Sequence, residues 1–419
     1  MQDRLLDAAP VLQRLQNAGF EAYYVGGCVR DSILGRAVND VDIATSAMPE
    51  EVMTLFPRHV PTGLKHGTVT VLLQDQAYEV TTFREESAYE AHRRPSEVAF
   101  IRELKGDLER RDFTINAMAM GIDGTVIDPF GGMADMKRGI IRCVGDADAR
   151  FQEDALRMLR GIRFAAAFGY RFAYGTWKAL LRHRELLRHI AMERVGTELD
   201  KMVGGPDPAR GVAIVHRARL WGLTKKPLQL PAVLEHRVLD PSMGAALRQL
   251  NRVHATNNRW AALAMLSGID LQAAIEWMSS FGLGHKRLKA IEAVIMLYRH
   301  LAAADKLRLR SEWIRLVLTH GREVAADAIA LGKEGLLLTP ALAIDWDKLA
   351  EWLDGITVFR VQELAIRGDD IASLSERAPG AWMKNVLDEL LYAAASGDIA
   401  NEREPLLAEA SLLLERGRS

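Results

Sequence analysis

Two patterns of hydrophobic and polar positions divide the chain. Up to about residue 145, short runs rich in β-branched and aromatic residues alternate with turns. Tyr23 to Val25, Thr68 to Leu73, Tyr78 to Phe83 and Ile140 to Val144 predict strands, and Gln74-Asp75-Gln76 predicts a hairpin turn between two of them. After Asp146 apolar residues recur every three or four positions, at Leu156, Leu159, Ile162, Phe164 and Ala167, and again at Leu180, Leu181, Leu186 and Leu187. That spacing predicts amphipathic helices. All eight tryptophans (177, 221, 260, 277, 313, 346, 352 and 382) fall in this second part, as expected of large aromatics wedged between helices. The pattern as a whole predicts an N-terminal α/β or α+β domain followed by two-thirds of a chain that is entirely helical.

Clusters of breakers at Gly204 to Pro208, Lys225 to Pro231 and Leu337 to Pro340 subdivide the helical part. A length of 419 residues predicts three or four compact units. The composition, 49% hydrophobic and 26% charged, is that of an ordinary folded protein. Formal net charge is −1, so a basic surface for nucleic acid has to be local. One weak candidate is residues 151–200, with nine Lys+Arg against six Asp+Glu, a net +3 by subtraction, including Arg182, Arg184 and Arg188. Cys28 and Cys143 form neither a disulfide framework nor a zinc-type spacing, which points to a reducing compartment and predicts a cytoplasmic protein. Met1-Gln2-Asp3-Arg4 does not open a signal peptide, and no run of eighteen apolar residues predicts a membrane span. Nothing in the sequence calls for an obligate protein partner.

Chemistry concentrates near the N-terminus. Tyr24-Val25-Gly26-Gly27-Cys28-Val29-Arg30-Asp31 reads as a strand running through paired glycines into a helix, a shape that lets backbone N–H groups approach a phosphate. Asn39-Asp40-Val41-Asp42-Ile43 follows. In an extended segment Asp40 and Asp42 share a face while Val41 and Ile43 point to the core. Two such carboxylates repel unless a cation lies between them, and hard oxygen ligands favour magnesium. Glu79, alternating away from Tyr78 and Val80, is a third acid that would complete a two-metal site if its strand lay beside Asp42. Taken alone, a Gly-Gly pair is usually a turn and an Asp-x-Asp usually a solvated loop. Their combination is what raises the chemical reading.

With these motifs in hand, the sequence resembles the class II tRNA nucleotidyltransferases and bacterial poly(A) polymerases, a group within the polymerase-β superfamily. Six ordered motifs carry the resemblance: Gly26-Gly27-x-Val29-Arg30-Asp31, Asp40-x-Asp42, Arg110-Arg111-Asp112-Phe113-Thr114-Ile115-Asn116-Ala117-Met118, Asp128 to Gly132, Glu153-Asp154-x-x-Arg157, and Glu193-Arg194-x-x-x-Glu198-Leu199. It covers the N-terminal half, with little recognisable after about residue 220.

The resemblance implies an α+β protein with a polymerase-β-like nucleotidyltransferase head built on a mixed sheet, then an all-helical neck, body and tail. Placed on this chain, the head is residues 1–147, the neck 148–220, the body 221–335 and the tail 336–419. It also implies two Mg²⁺ ions held by Asp40 and Asp42, with Glu79 the third catalytic acid. The nucleotide-binding candidates are Gly26, Gly27, Arg30, Arg110, Arg111, Asp112, Asn116, Asp154, Arg157, Arg160 and Arg163. Arg110 and Arg111 suit phosphate oxygens and Asp112 a ribose hydroxyl. Asp154 and Arg157, at the start of a predicted helix, would read the base, with Glu153 steadying Arg157. Glu193 to Leu199 is expected to brace the neck, and His66 to be a packing residue at a strand start.

The implied reaction is attack of the 3′-hydroxyl at a tRNA acceptor end on the α-phosphate of CTP or ATP, adding C, C and A without a template. A addition or polyadenylation, and CC addition, share most of the motifs. The segment Thr82 through Pro95, implied to be full length and to act as a mobile lever over Arg84 to Pro95, favours CCA addition. A catalytically silent RNA-binding protein is disfavoured because Asp40 and Asp42 are both present. No His-Asp pair in the helical half has the spacing of a phosphohydrolase, so no second hydrolytic activity is expected.

Overall fold

The computed structural model describes residues 3–90, 94–227, 241–303, 309–334, 344–375, 377, 378 and 380–416. The chain forms two compact units. The first runs from Met1 to Leu230 and takes in Ser280–Gly282, and the second comprises Leu239–Ser279 and Leu283–Ser419.

The first unit opens with helix α1 (Asp3–Asn17), whose buried stripe Leu5, Ala8, Val11, Leu12 and Leu15 recurs at helical spacing. A seven-stranded mixed sheet follows, built from β1 (Ala22–Val25), β2 (Asp42–Thr45), β3 (His59–Gly63), β4 (Thr68–Leu73), β5 (Gln76–Thr82), β8 (Ala119–Met120) and β9 (Val126–Ile127) in the order β3-β4-β5-β2-β1-β8-β9. Only β2 and β5 pair in parallel; the remaining neighbours are antiparallel. Between β4 and β5, Gln74 and Asp75 take φ of 48° and 61°, the left-handed pair that a tight hairpin turn requires. Helices α2 (Gly27–Ile33) and α3 (Pro49–Leu55) flank the sheet's central strands in sequence. Tyr24, Val25, Ile43, Ala44, Val80 and Phe83 are buried at the sheet's centre.

The polar segment expected as a mobile lever forms β6 (Arg84–Glu90) and β7 (Arg94–Phe100), an antiparallel ribbon separate from the main sheet, with Arg84 opposite Phe100 and Glu90 opposite Arg94. Its tip, residues 91–93, lies outside the described residues. Helices α4 (Leu104–Glu109), α5 (Gly132–Arg138) and α6 (Ala147–Glu153) complete this region.

Ile140 to Val144 is not one strand: β10 is Ile140–Ile141, after which Arg142 and Val144 exchange backbone hydrogen bonds with Thr114 and Asp112. The partner of β10 is β11 (Arg171–Phe172), so the part after Asp146 is not wholly helical. The cause is local. Helix α7 (Leu156–Phe168) ends at Gly169 in the left-handed region (φ 70°), which turns the chain back alongside Ile140 and Ile141. Likewise α8 (Tyr174–His183) stops before Leu186 and Leu187, which lie on a 3₁₀ turn over Arg184–His189. Helices α9 (Met192–Val203) and α10 (Pro208–Arg217) follow, with Asp207 capping the latter.

The second unit is helical throughout its described residues, from α11 (Pro241–Arg248), α12 (Thr256–Leu266), α13 (Leu271–Ser279) and α14 (His285–Ala303) to α15 (Leu309–His320), α16 (Arg322–Lys333), α17 (Trp346–Gly355), α18 (Gly368–Ala372), α19 (Ala381–Ser396) and α20 (Arg403–Arg416). Trp313, Leu349, Ile371, Leu390 and Leu406 are among the members of one buried cluster in it. Each of the eight tryptophans is buried or half-buried, as their placement among helices predicted. No helix among the described residues is long and apolar enough to cross a membrane.

Candidate active site

The parallel pairing of β2 with β5 sets Asp42 directly opposite Glu79, on one face of the sheet, and β1 sets Val25, the residue before the glycine pair, opposite Asp42 from the other side. Strand alternation buries Val41 and Ile43 and leaves Asp40 and Glu79 exposed and Asp42 half-buried. Burial pushes the Asp42 carboxyl above its ordinary value against the pull of Arg111, and the charges of Glu79 and Asp40 add to the rise. Gathered acids of this kind form a hard-oxygen donor set whose mutual repulsion a divalent cation would relieve. Among the described residues, no three His, Cys, Asp or Glu side chains come close enough to enclose an ion by themselves.

Beside these acids opens a cavity of about 510 Å³. Its walls contain Gly26, Gly27, Arg30, Arg110, Arg111, Asp112, Asn116, Asp154, Arg157, Arg160 and Arg163, together with Asp42. Residues up to 168 positions apart in sequence, Gly26 and Arg194, are thus brought to one place. Asp40 and Glu79 lie outside the lining, and His66, expected at a strand start, sits exposed on a 3₁₀ turn with its carbonyl accepting from Arg84. Leu156, Phe164 and Arg194 also line the cavity and were not named from sequence as site residues. Seven arginines face three aspartates in the lining, a net +4 by subtraction.

Each arginine is held. Asp107, buried in α4, accepts from Arg110 Nε at 2.9 Å and Arg111 Nη2 at 3.0 Å. Burial would raise the Asp107 pKa, but Arg111 and Arg110 together hold it below the ordinary value. Arg111 then reaches toward Gly26, where an added Cβ would stand 2.8 Å from its Nη1. The Arg111 Nε is buried without a hydrogen-bond partner.

Asp112 is a hub. Its Oδ1 accepts from the Phe113 N–H at 2.8 Å and Asn116 Nδ2 at 3.0 Å, and its Oδ2 accepts from Arg160 Nε at 2.8 Å. Burial opposes ionisation here, yet Arg160 and the Asn116 hydrogen bond pull the carboxyl down to about 2. Three of about four lone-pair directions are used, which leaves one on Oδ2 for a hydroxyl. Asn116 Oδ1 in turn accepts from Arg30 Nη1 at 2.5 Å, and Arg30 forks onto Asp31 at 3.0 and 2.8 Å.

Glu153, Asp154 and Arg157 do not share the first turn of one helix. Glu153 ends α6, Asp154 lies in the break, and Arg157 is the second residue of α7. Arg157 Nη1 donates to Glu153 Oε2 at 2.6 Å and Nη2 to the Arg110 carbonyl at 3.1 Å. Asp154 accepts from the Leu156 N–H at 3.0 Å and from Arg194 Nη2 at 2.7 Å. Glu198, on α9 with Arg194, is buried and accepts from Arg163 Nε at 2.7 Å. The Glu193-Arg194-x-x-x-Glu198 motif therefore touches the cavity's own side chains: Glu198 sits one turn after Arg194 and faces the same way. That spacing was the available signal. Arg182, Arg184 and Arg188, by contrast, are engaged by Asp148, the Ala218 carbonyl and Glu185.

A mixed sheet with a glycine turn and a carboxylate strand, opening on an arginine-lined cavity and followed by helices, defines the nucleotidyltransferase class. The Poly A polymerase head domain family matches residues 22–142, a family described as the probable RNA and SrmB-binding site of polymerase A matches 169–221, and tRNA nucleotidyltransferase domain 2 (putative) matches 251–410. A CCA-adding enzyme of Geobacillus stearothermophilus is 37% identical over 424 aligned residues, which span 100% of this chain and 99% of that protein. The crystal structure of the Bacillus stearothermophilus CCA-adding enzyme in complex with CTP superposes with a TM-score of 0.83 at 34% identity, covering 100% of this chain and 98% of that one. A Thermotoga maritima CCA-adding enzyme complexed with tRNA-CCA shares the fold, with a TM-score of 0.66 at 22% identity over 99% and 96% of the two chains. The chain belongs to the CCA-adding enzyme family. The likeness runs through the second half, where sequence motifs alone had shown little.

Proposed function

We infer that this chain adds C, C and A to the 3′ end of tRNA from CTP and ATP without a nucleic-acid template. Identity of 37% to a CCA-adding enzyme over the whole chain supports this activity over A addition, CC addition and a silent RNA-binding role. The observation that carries the site assignment is the convergence of all eleven nucleotide-binding candidates on one cavity beside Asp42.

Asp40 and Asp42 would hold divalent cations, which we assign as Mg²⁺, with the nucleotide's phosphate oxygens completing the shell that the protein does not close. When bound, such ions neutralise the triphosphate and lower the pKa of an attacking hydroxyl. Glu79, opposite Asp42, adds negative field at the same place. The chain's other residues orient. The backbone at Gly26-Gly27 offers close approach to the triphosphate, and Arg110 and Arg111, braced by Asp107, donate to its oxygens. Asp112 accepts from a ribose hydroxyl through its remaining lone pair. Asp154 accepts an exocyclic amine and Arg157 donates to the ring nitrogen beside it, a pairing that cytosine and adenine share. Both side chains already have protein partners, so base reading means that Arg157 turns from Glu153 or the Arg110 carbonyl and that Asp154 adds an acceptor contact to the one it makes with Arg194.

We retain the division into a head (1–147) that carries the carboxylates, a neck (148–220) that carries Asp154 to Arg163, and a body (221–335) and tail (336–419) for tRNA. The family matches over 22–142 and 169–221 support its first half. Two buried free thiols, Cys28 and Cys143, support a cytoplasmic setting. The test is incubation with tRNA lacking its terminal CCA, supplying CTP and ATP separately and together, followed by sequencing. CTP alone should give CC ends and both nucleotides CCA ends; products ending in A alone, or none, would remove the assignment.

A further inference from the structure

We infer that Phe164 and Phe168 are positioning residues that hold the cavity's arginines in place while preserving their charge, an inference that rests on the nucleotidyl-transfer reading above. The two rings stack with centroids 6.0 Å apart and planes 14° from parallel, one turn apart on α7. Guanidinium carbons of Arg30, Arg160 and Arg163 lie 5.3, 5.7 and 4.2 Å from the Phe164 centroid. Those of Arg30 and Arg36 lie 4.8 and 4.9 Å from the Phe168 centroid. Four guanidinium groups thus surround one pair of phenyl rings.

Such crowding needs a source of attraction, because like charges at these separations repel. A carboxylate could supply it, but each added acid cancels one positive charge that a triphosphate would use. An aromatic face attracts a cation through its quadrupole and leaves the net charge unchanged. The arrangement here combines both. Arg160 and Arg163 each give their Nε to an acid, Asp112 and Glu198, while their planes lie near Phe164. For the two terminal nitrogens of Arg163 no protein acceptor is found among the described residues, and Arg163 lines the cavity. The ring therefore fixes the guanidinium's position while those donors remain for a ligand. Phe164 is itself steadied by Phe113, edge-on at 6.0 Å and 84°. Phe113 follows Asp112 in sequence, so the same loop supplies the acid that orients Arg160 and the ring that supports Phe164.

The ligand consistent with this site is the polyanionic part of a nucleoside triphosphate, shared by CTP and ATP, and not the base. The experiment replaces Phe164 with phenylalanine analogues carrying increasing numbers of ring fluorines in the full-length chain, which drains the quadrupole while keeping an apolar ring of nearly the same shape. Dissociation constants for CTP and ATP should rise stepwise with fluorination, by about tenfold across the series, and by the same factor for both nucleotides. At the more accessible position, Phe168→Leu should weaken both nucleotides by about fivefold, and Phe168→Tyr, which keeps a π face, should recover most of that loss. Affinities that stay flat across the fluorinated series in protein of unchanged thermal midpoint would overturn the inference and leave the transfer reaction standing. Unsubstituted protein that adds no nucleotide would remove the reading beneath it.

Discussion

Asp42 shows how one side chain trades stability for function. It is half-buried, faces Glu79 across the parallel pair and feels Asp40 two residues away, so burial first and these acids second disfavour its ionised form. Asp42→Asn removes that repulsion and should raise the unfolding midpoint of the ion-free protein by about 1–2 °C, while C and A addition both fall by about three orders of magnitude. Added Mg²⁺ should stabilise the unsubstituted protein more than the variant; equal shifts by calorimetry would place the ion elsewhere. Asp112 has the opposite sign. Its folded pKa of about 2 lies below the ordinary 3.8, so its contribution of about 2 kcal/mol is present above pH 4 and is lost as pH falls toward 2. Asp112→Asn should therefore flatten the acid limb of stability against pH, measured by denaturant unfolding from pH 5 to 2; an unaltered limb would show that Arg160 does not hold this charge. At Gly26 the backbone has φ 74° and ψ −126°, and a Cβ would lie 2.8 Å from Arg111 Nη1. Gly26→Ala should cost about 1–3 kcal/mol of stability and raise the KM for both nucleotides, because the arginine moves with the strain. A variant with normal KM values would separate Gly26 from Arg111's placement.

At the scale of elements, α7 carries three of the cavity's seven arginines and lies against the loop that bears Asp112. Gly161 makes the approach possible: an added Cβ would stand 2.8 Å from the Phe113 ring and 3.0 Å from that of Phe172. Phe113 is fully buried, so it can yield only by disturbing its packing. Gly161→Ala should destabilise the chain by about 1–3 kcal/mol and, by displacing Phe113 from Phe164, weaken CTP binding as well. Equilibrium unfolding and nucleotide titration on the same sample would separate the two, and a stable variant that binds CTP normally would show that the helix can move away freely. The helical character of α7 was legible from Leu156, Leu159, Ile162 and Phe164, and β4 with β5 from alternation and the Gln74-Asp75 turn. What escaped were elements made by tertiary contact. A two-residue strand such as Arg171–Phe172 carries no periodicity, and exists because Gly169 turns the chain toward Ile140. The site followed the same division. Asp40, Asp42 and Glu79 could be proposed from residue type and alternation, but the pairing of β2 with β5 could not. Asp107 went unnamed and Arg194 was read only as part of a neck brace, because their partners are what make them informative, two arginines in one case and Asp154 in the other.

For the whole molecule, a formal charge of −1 conceals a strong segregation along the chain. Residues 1–150 hold 17 Lys+Arg and 23 Asp+Glu, a net −6; residues 151–300 hold 23 and 12, a net +11; residues 301–419 hold 14 and 20, a net −6. The three add to −1, as the total requires. A polyanion as large as tRNA is attracted most by the central third, so the net-negative head and tail meet it through local contacts and affinity depends on where the positive charge sits. Some of it is already committed, as with Arg182 on Asp148 and Arg287 on the Asn257 side chain. Lys286 and Lys289 differ. They are exposed on the first turns of α14, three residues apart and so on the same face. Replacing both with glutamine should raise the KM for tRNA severalfold at low salt and leave the KM for CTP near its original value, since the cavity residues lie between positions 26 and 194. Each phosphate contact contributes about 0.9 to the slope of log affinity against log salt on a duplex. The double variant should therefore bind tRNA with a slope shallower by about 1.8, read from filter-binding titrations between 50 and 200 mM salt. Unchanged slope with unchanged KM would place the acceptor arm on other residues of the basic third, with Lys201, Lys225 and Lys226, all exposed, the next to exchange.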